Sequence, residues 1–546
     1  MIIKNNVVHG GPTLSIPAHL SYGKFVIDKL IEHNADENKI ALVHGDVGEK
    51  TTYREILKYV VHTASGLKKL GVKRGDIVAL CSENRLEFIV TALAAICCGA
   101  TITTLSTQYT KDENKHVLTI SKPSLLIASE EVLKQNFSIY KEVTYIKKFI
   151  QMNGKPIDNG IIAYKNVCAQ VDAFDFEPEE VQGATDTLFL LYSSGTTGLP
   201  KGVMLTHVNA LYAAANSLRE SLAPESQSRS CHLTVVPWYH AYGLMTTINN
   251  FIIGRMTVYF PGFYPEKYLK AIEKYKVNVL LTVPPMIVFL TKSSLIEKYD
   301  MSSVTLVWCG AAPLSADTIR DVMKRLPNCK GVLQAYGMTE TSTSATRDPE
   351  RDTTKHKPGS GGTPLPGVRV KVVDVETRKK LGPFETGEIC IKGPVVMKGY
   401  IGDKAADRDI MDEEGFLKTG DVGYYDHDGY FFIVERIKEL IKYKGHQVPP
   451  ATVESVILQH GSVAECGVVG APDEWAGELP TAFVVIKPGH QLTERELLDF
   501  TASRLSPANR LHGGVIFVKE IPKNPSGKIM RRILKQRLQD KRKSKL

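Results

Sequence analysis

The feature that most constrains the fold of this chain is a regular alternation of helix-like and strand-like segments. Residues 53–70 carry apolar side chains at helical spacing, residues 77–81 form a short apolar strand, and residues 87–98 return to a helical pattern. Alternation of this kind is typical of α/β layers with largely parallel sheets. Residues 276–283 and 303–309 are apolar and β-branched, which is typical of strands buried on both faces.

The pattern changes after about residue 365, where short strands such as 368–374 and 387–392 are separated by Gly, Pro and Asp turns. A chain of 546 residues is also too long for one hydrophobic core. We therefore predict an α/β protein with a large N-terminal domain of layered α/β subdomains plus a β-rich subdomain, and a small mobile α+β C-terminal domain. The predicted division is an N-terminal domain at 1–435 and a C-terminal domain at 439–546 that ends in a basic tail, with the boundary at 436–438.

The net charge of +9 is concentrated near the end of the chain. Residues 528–546 contain nine basic side chains and one acid, Asp540. A basic tail can bind nucleic acid or anionic lipid, but a solvated end is the simpler interpretation. We predict no nucleic-acid partner.

The spacing of the cysteines and the length of the apolar segments indicate the cellular compartment of the protein. The nine cysteines are scattered without a C-x-x-C pair, which favours free thiols in a reducing compartment over disulfides or zinc. The N-terminus lacks the apolar region of a signal peptide, and the longest apolar run, 88–101, is too short to span a membrane. The final residues, Ser544, Lys545 and Leu546, match the S-K-L peroxisomal address. We therefore expect peroxisomal localisation through the import receptor, and no transmembrane segment.

One loop carries the clearest chemical signal. An apolar strand at 188–192 leads into residues 193–202, which hold four hydroxyls, three glycines and Lys201. Glycines allow backbone N–H groups to approach phosphate oxygens, hydroxyls donate further hydrogen bonds, and a lysine neutralises charge. The spacing differs from the Walker A loop G-x-x-x-x-G-K-[ST], which disfavours a P-loop kinase or motor. The loop predicts a triphosphate site.

The loop sequence SSGTTGLPKGV resembles the signature of the acyl-adenylate-forming (AMP-binding) superfamily, which includes acyl-CoA synthetases, 4-coumarate–CoA ligases and beetle luciferases. Further segments resemble this family's motifs in the same order: YGMTE at 336–340, KTGD at 418–421, RIKELIK at 436–442 and NPSGK at 524–528. The strongest likeness is to insect luciferase-like acyl-CoA synthetases. The resemblance covers nearly the whole chain and implies ATP, Mg²⁺ and CoA as cofactors. It also implies that 1–435 is the ATP- and acyl-binding domain, 436–438 the hinge and 439–546 the mobile domain.

The family's reaction has two half-steps, and the resemblance assigns residues to the first. A carboxylate attacks the α-phosphate of ATP, so the site must cancel the charge of two anions. Lys201 is expected at the β/γ-phosphates, Thr339 at the α-phosphate, and Glu340 at Mg²⁺, which prefers hard oxygen ligands. Lys528 is implied to bridge the carboxylate and the α-phosphate. The implied catalytic set is Lys528, Lys201, Thr339, Glu340 and His240.

The nucleotide site implied by the family extends over several segments. Gly310 to Pro313 follow a predicted buried strand and would form one wall for the purine, with Gln334 to Tyr336 on the other side. Asp421 would accept the ribose hydroxyls, with Arg436 nearby. The full implied set is Ser193, Ser194, Gly195, Thr196, Thr197, Gly198, Lys201, Gly310, Ala311, Ala312, Pro313, Gln334, Ala335, Tyr336, Gly337, Thr339, Asp421, Arg436, Lys438, Lys442, Gly445 and Lys528.

The second half-step brings the CoA thiol to the adenylate, and the family does this by rotating the small domain. Lys438 resembles the hinge position, where a few residues absorb large backbone changes. Gly445 resembles the loop that then faces the active site and leaves a passage for pantetheine. Lys442 and Lys444 flank this loop and are candidates to meet the CoA phosphates.

The acid substrate is predicted to contact the segment 237–243. In the family this region borders the acyl pocket, and His240 approaches the carboxylate. Candidate pocket walls are Tyr242, Val283, Trp308 and Ser344.

Three functions remain open at this level. Beetle luciferases carry an arginine that borders luciferin, whereas this chain has Ala213, which predicts an apolar lining and favours a medium- or long-chain fatty acid. A luciferase and a 4-coumarate-type aromatic acid–CoA ligase are the alternatives. A catalytically inactive scaffold is disfavoured because the charged residues that the chemistry needs are present.

Overall fold

The computed structural model describes residues 1–169, 176–193, 199–222, 231–312, 314, 316–350, 352–444, 446–523 and 529–543. The strands in these residues are β1 (Ile2–Lys4), β2 (Val7–His9), β3 (Ile40–His44), β4 (Lys50–Thr52), β5 (Ile77–Cys81), β6 (Thr101–Thr104), β7 (Leu125–Ala128), β8 (Lys148–Gln151), β9 (Ile161–Ala163), β10 (Thr187–Ser193), β11 (Lys201–Thr206), β12 (Cys231–Thr234), β13 (Met256–Tyr259), β14 (Val279–Thr282), β15 (Leu306–Cys309), β16 (Val332–Tyr336), β17 (Thr346–Arg347), β18 (Thr363–Pro364), β19 (Arg369–Val373), β20 (Gly387–Lys392), β21 (Gly399–Tyr400), β22 (Leu417–Tyr425), β23 (Phe431–Arg436), β24 (Ile441–Tyr443), β25 (His446–Val448), β26 (Val463–Asp473), β27 (Gly477–Ile486) and β28 (Val515–Phe517).

The α-helices in the described residues are α1 (Tyr22–His33), α2 (Tyr53–Lys69), α3 (Leu86–Cys97), α4 (Lys111–Ser121), α5 (Glu130–Lys141), α6 (His207–Ser221), α7 (Ala241–Ile253), α8 (Pro265–Tyr275), α9 (Pro284–Lys292), α10 (Ala316–Arg325), α11 (Lys404–Ile410), α12 (Pro450–Ile457), α13 (Glu494–Ala502) and α14 (Arg531–Lys543). Short 3₁₀ segments are Tyr164–Asn166, Ser294–Lys298, Thr339–Thr341, Thr353–Lys355 and Pro507–Asn509. The start of α2 illustrates the local signals, because Thr52 and Glu55 form a capping box that satisfies the first backbone N–H groups.

Two large sheets build most of the N-terminal part. One has the order β21-β11-β10-β6-β5-β7-β8-β9 and the other the order β18-β17-β16-β15-β14-β12-β13-β3-β4. The strands from β10 to β9 in the first order, and from β16 to β3 in the second, pair in parallel. The main hydrophobic core joins α1, α2, α3, α6 and α7 to strands of both sheets. The predicted α/β class with a large N-terminal and a small C-terminal domain is confirmed.

The β-rich subdomain is antiparallel, with the order β1-β2-β19-β20-β22-β23. The prediction placed it after about residue 365, but β1 and β2 come from the N-terminus, and Val7 lies opposite Lys371. Strands of three residues are too short to show a period of two, so the sequence pattern could not reveal them.

Two predicted buried strands are shorter than expected. The segment 276–283 becomes a strand only at Val279, because Lys276 adopts φ +48° and ends α8. The segment 303–309 becomes a strand only at Leu306. In both cases the first residues belong to the turn that leads into the strand.

The C-terminal sheet joins β25, β24, β27 and β26 in that order, with β28 pairing to β27. β23 ends the β-rich sheet at Arg436, and β24 starts the last sheet at Ile441. The hinge at 436–438 and the mobility of the small domain stay predictions. No helix within the described part of the chain is long and apolar enough to cross a membrane. The peroxisomal address at 544–546 lies outside the described residues and also stays a prediction.

A buried carboxylate fixes the strand that lies beside the predicted purine wall. Asp348 accepts a 2.9 Å hydrogen bond from the backbone N–H of Gln334, and the Ser360 hydroxyl lies 3.4 Å from its other oxygen. Burial raises the pKa of Asp348 to about 7, while these hydrogen bonds act in the opposite direction. The folded protein therefore holds a proton here at pH values where an unfolded chain, with a pKa near 3.9, has lost it.

We predict that Asp348→Asn changes the pH dependence of stability. A carboxyl whose pKa is higher in the folded protein stabilises the fold fully at pH values below its pKa in the unfolded chain. This stabilisation is lost as the pH rises towards about 7, the pKa in the folded protein. The free energy of unfolding of the variant relative to the native protein should therefore increase by about 1.4 kcal/mol per pH unit between about pH 5 and 7, then level off. Urea unfolding at several pH values measures this difference. The exposed Asp499→Asn variant is the control, and a flat difference for Asp348→Asn would contradict the prediction.

Candidate functional site

A lysine, a tyrosine and a buried glutamate meet where the two large sheets come together. β10 and β11 form an antiparallel pair in which Ser193 lies opposite Lys201. The Lys201 Nζ lies 4.8 Å from the centre of the Tyr400 ring, and the Tyr400 hydroxyl donates a 2.9 Å hydrogen bond to Glu340 Oε1. Burial and the neighbouring Glu340 raise the pKa of Tyr400, so this hydroxyl keeps its proton. The predicted phosphate lysine and the predicted metal carboxylate are thus held by one tyrosine.

Glu340 has the features expected of a cation ligand. Its side chain is buried, with the residue only 3% exposed, and Oε2 has no hydrogen-bond partner among the described residues. No group of three or more His, Cys, Asp or Glu residues in the described part of the chain is arranged to hold a metal. Mg²⁺ commonly binds through one or two carboxylates together with substrate phosphates and water. The open oxygen of Glu340 fits that mode.

A second carboxylate is held in a similar way. Asp421 and Arg436 face each other across β22 and β23, and Arg436 Nε lies 2.9 Å from Asp421 Oδ1. The Tyr336 hydroxyl donates a 2.8 Å hydrogen bond to Asp421 Oδ2. Burial and Asp421 raise the pKa of Tyr336 well above its usual range. Tyr336 and Arg436 thus hold the Asp421 carboxylate in place where the resemblance expects the ribose hydroxyls.

The two predicted purine walls lie on adjacent parallel strands. β15 and β16 pair with Cys309 opposite Gln334, so the segments that follow both strands leave the same edge of the sheet. Ala311 adopts φ +74°, a conformation that is rare for residues with a Cβ and is often found at functional sites. A Cβ on Gly337 would lie 2.3 Å from the carbonyl oxygen of Thr343, so only glycine fits there. The cavity that begins at this edge is lined in part by Gly310, Ala311, Ala335, Gly337 and Thr339.

His240 stands at the N-terminus of α7 and lines the same cavity. Burial lowers the pKa of His240 to about 4, so the imidazole is neutral, and its Nε2 has no partner among the described residues. A helix N-terminus attracts a carboxylate through its free N–H groups and dipole. The cavity has a volume of about 290 Å³. Its walls include each of the predicted substrate residues, namely His240, Tyr242, Val283, Trp308 and Ser344.

The expectation of an apolar lining rested on Ala213, which is not among the residues that line the cavity. Ala213 packs against the hydrophobic core, but Ser217, one turn further along α6, lines the cavity. The remaining polar lining residues beyond the nucleotide edge include His232, Thr246, Asn249, Asn250, Arg255, Arg347 and Glu350. The sequence analysis missed these residues because they occur singly in helix or strand patterns. The one available signal was the polar pair Asn249-Asn250 inside an otherwise apolar helix.

The predicted hinge lies beside a buried ion cluster that the sequence analysis also missed. Arg531 Nη2 lies 2.8 Å from Glu454 Oε1, and Arg531 Nη1 lies 2.9 Å from Glu439 Oε2. Glu435, on the other side of the predicted hinge, lies 3.6 Å from Arg531. Burial raises the pKa of Glu435 to about 7, and Arg531 acts against this shift. Lys438 itself is exposed in the turn between the two sheets.

The remaining predicted residues are placed as follows. Lys442 is exposed on β24, and Ala312 follows Ala311 in the turn after β15. Several predicted residues lie outside the described part of the chain, namely Ser194, Gly195, Thr196, Thr197, Gly198, Pro313, Gly445 and Lys528.

Comparison with known proteins gives a consistent picture. The AMP-binding enzyme family model matches residues 31–401, and the model of the AMP-binding enzyme C-terminal domain matches residues 452–528. The chain is 38% identical to luciferin 4-monooxygenase of Nipponoluciola cruciata, over 96% of both chains. It is 36% identical to 4-coumarate–CoA ligase 3 of Arabidopsis thaliana, over 96% of this chain and 93% of that protein.

A solved structure shares the fold over nearly the whole length. The crystal structure of ATP-bound MatB from Rhodopseudomonas palustris superimposes with a TM-score of 0.83 and 29% identity, covering 95% of this chain and 99% of that one. The family matches span both the large and the small domain, in the order in which the motifs occur. Luciferases and CoA ligases are both among the relatives of this chain. The chain therefore belongs to the AMP-binding, adenylate-forming enzyme family.

Proposed function

We propose that the chain is an ATP-dependent acid–CoA ligase that forms an acyl-adenylate, releases pyrophosphate and transfers the acyl group to CoA. The observation that carries the proposal is the short segment Thr339–Thr341. Thr339 lines the acyl cavity, while Glu340 beside it is bonded to Tyr400, whose ring faces Lys201. The turn therefore joins the acid cavity at Thr339 to the expected metal carboxylate Glu340, which Tyr400 links to the expected phosphate-binding cation Lys201.

In the first half-step an oxygen of the acid carboxylate attacks the α-phosphorus of ATP. The new O–P bond forms as the bond between the α-phosphorus and pyrophosphate breaks, so no proton is transferred. His240 is neutral and stands at a helix N-terminus, so it orients the carboxylate without neutralising it. Lys201 offsets the charge of the departing pyrophosphate, and Mg²⁺ held by Glu340 would supply further positive charge.

In the second half-step the thiol of CoA attacks the acyl carbon. The C–S bond forms, the bond to AMP breaks, and the thiol proton is released. By the family likeness, Lys528 leaves the site before this step and the loop at Gly445 enters it, with the rotation at Lys438. The exposure of Lys438 in a turn between two sheets supports this proposal.

The substrate is proposed to be a medium- or long-chain acid. The cavity follows one face of α7, which suits an elongated molecule. Two rings in the wall, Tyr242 and Trp308, keep an aromatic acid of the 4-coumarate type as an alternative. A luciferase is the second candidate because of the relative from Nipponoluciola cruciata. Ala213 stands where the luciferase arginine is expected and disfavours it.

The primary test is exchange of labelled pyrophosphate into ATP with a panel of fatty, cinnamic and benzoic acids. We expect exchange with at least one acid, followed by CoA-thioester formation when CoA is added. The same material given luciferin, Mg-ATP and O₂ should emit no appreciable light. Light without thioester would favour the luciferase, and the absence of exchange with every acid would refute the adenylate mechanism.

Tyr400→Phe tests the arrangement around Glu340. The substitution keeps the ring that Lys201 faces but removes the hydroxyl that bonds Glu340. Losing a hydrogen bond to a charged group costs about 1.5–3 kcal/mol, so we expect the adenylation rate to fall roughly ten- to a hundredfold. The Mg²⁺ concentration for half-maximal rate should also rise. Tyr425→Phe removes a buried hydroxyl that donates to the Leu381 carbonyl elsewhere, and should leave the Mg²⁺ dependence unchanged.

Lys528→Ala separates the two half-reactions. If Lys528 bridges the carboxylate and the α-phosphate, its loss should slow adenylate formation by about 100- to 1000-fold, as for other donors that stabilise developing charge. Thioester formation from supplied acyl-AMP and CoA should be spared. Lys523→Ala, which removes the ion pair with Glu465 in the same domain, is the control. An equal loss in both half-reactions would argue against the assigned role.

A further inference from the structure

The far end of the acyl cavity is polar, and its position follows from α7. Tyr242, Thr246, Asn249 and Ile253 all line the cavity and are spaced by three or four residues, so one face of the helix forms a wall along its length. A helix rises about 1.5 Å per residue, which places Asn249 about 14 Å along the axis from His240. Groups near Asn249 are therefore remote from the carboxylate that is activated.

The opposite wall runs in the same direction. β17 is antiparallel to β16, with Thr346 opposite Tyr336 and Arg347 opposite Ala335. The chain after Thr346 therefore runs back from the nucleotide edge. It reaches Glu350, which lies 3.5 Å from Arg255 just beyond the end of α7. Glu350 and Arg255 thus lie on the side of the cavity away from the nucleotide edge. The backbone of Arg347 lies beside Ala335, at that edge, but its guanidinium reaches back to the ring of Trp308, which pairs with Leu333 further along the strands.

The charges of these residues do not balance. Arg255 and Glu350 are both buried and form an ion pair. Arg347 lies with its guanidinium carbon 5.7 Å from the centre of the Trp308 ring and forms no ion pair with any described residue. Among the described residues that line the cavity, Arg255, Arg347 and Glu350 carry two positive charges and one negative charge. Placing a charge in such surroundings is costly unless an opposite charge accompanies it.

The side-chain amide of Asn249 can also contribute a hydrogen bond to a ligand in the cavity. Its Nδ2 lies 3.3 Å from the Ser217 hydroxyl, while Oδ1 has no partner among the described residues. Exchanging the two amide atoms lets Ser217 donate to Oδ1 and turns the NH₂ group towards the cavity, since a hydroxyl can donate or accept. In that orientation Asn249, which lines the same cavity as Arg347, supplies a further hydrogen-bond donor to it.

We propose that the preferred acid carries a second carboxylate at its far end, which pairs with Arg347. This inference rests on the proposed ligase function and names the substrate class of the same site. The first carboxylate is activated near His240, and the second is held by a guanidinium, which binds carboxylates in a planar, two-bond geometry. The substrates are therefore elongated dicarboxylic acids rather than acids with a methyl end.

The test uses the native full-length chain and three acids of one length: dodecanoic acid, ω-hydroxydodecanoic acid and dodecanedioic acid. A charge-assisted contact that is made only by the diacid should raise kcat/KM for CoA-thioester formation roughly ten- to a hundredfold over the methyl-ended acid. A higher kcat/KM for either of the other two acids would overturn the inference. Neither result affects the proposed function, which fails only if no acid supports pyrophosphate exchange.

Substitutions at Arg347 provide an independent readout. Arg347→Gln should reduce the preference for the diacid roughly ten- to a hundredfold, mainly through KM. Arg347→Glu should shift the preference to ω-aminododecanoic acid, because the charges are then reversed. Arg495→Gln, at a side chain that is 92% exposed on α13, is the matched control and should keep the native preference. If both Arg347 variants still prefer the diacid, a residue other than Arg347 binds the second carboxylate, and the role proposed for Arg347 is wrong.

Discussion

The site depends on two carboxylates, Glu340 and Asp421, that are almost completely buried. Burying a carboxylate is costly unless charges and hydrogen-bond donors surround it. Glu340 and Asp421 are treated in the same way: each accepts a tyrosine hydroxyl, from Tyr400 and Tyr336 respectively. A cation completes each group, Lys201 at the Tyr400 ring and Arg436 at Asp421. Because these residues come from the two large sheets and the β-rich sheet, the carboxylates also fix how the three sheets meet.

Much of the architecture follows from hydrophobic patterning. The strand Ile77–Cys81 matches its prediction residue for residue, and the helices beginning at Tyr53 and Leu86 lie within a residue of theirs. Long periodic segments buried in one core carry an unambiguous period. The pattern fails where tertiary context decides, as for β1 and β2, which are stable only because they pair with β19. It also fails at Lys276, whose left-handed conformation ends a helix inside a predicted strand.

The residues of the candidate site likewise fall into those that the sequence predicts and those that it does not. Motif residues such as Glu340 and Asp421 were accessible from the sequence because several motifs occur in order. Arg255, Arg347 and Glu350 were not, because they are far apart in the chain and become neighbours only through the sheet register and the end of α7. The Arg531 cluster is hidden for the same reason, since Glu435, Glu439 and Glu454 approach Arg531 only after the last helix packs onto the small domain. Contacts that cross between elements are therefore the part that sequence reasoning misses.

The distribution of charge along the acyl cavity explains how one end can be reactive while the other is selective. At the reactive end His240 is neutral, so it orients the carboxylate without adding a full positive charge. The cation expected there, Lys528, would bridge the carboxylate and the α-phosphate, so its contact can strengthen as the new bond forms. At the far end no bond changes during the reaction, so the proposed ion pair with Arg347 would stabilise the ground state and the transition state equally. Such uniform binding would select and align the acid without opposing the chemistry.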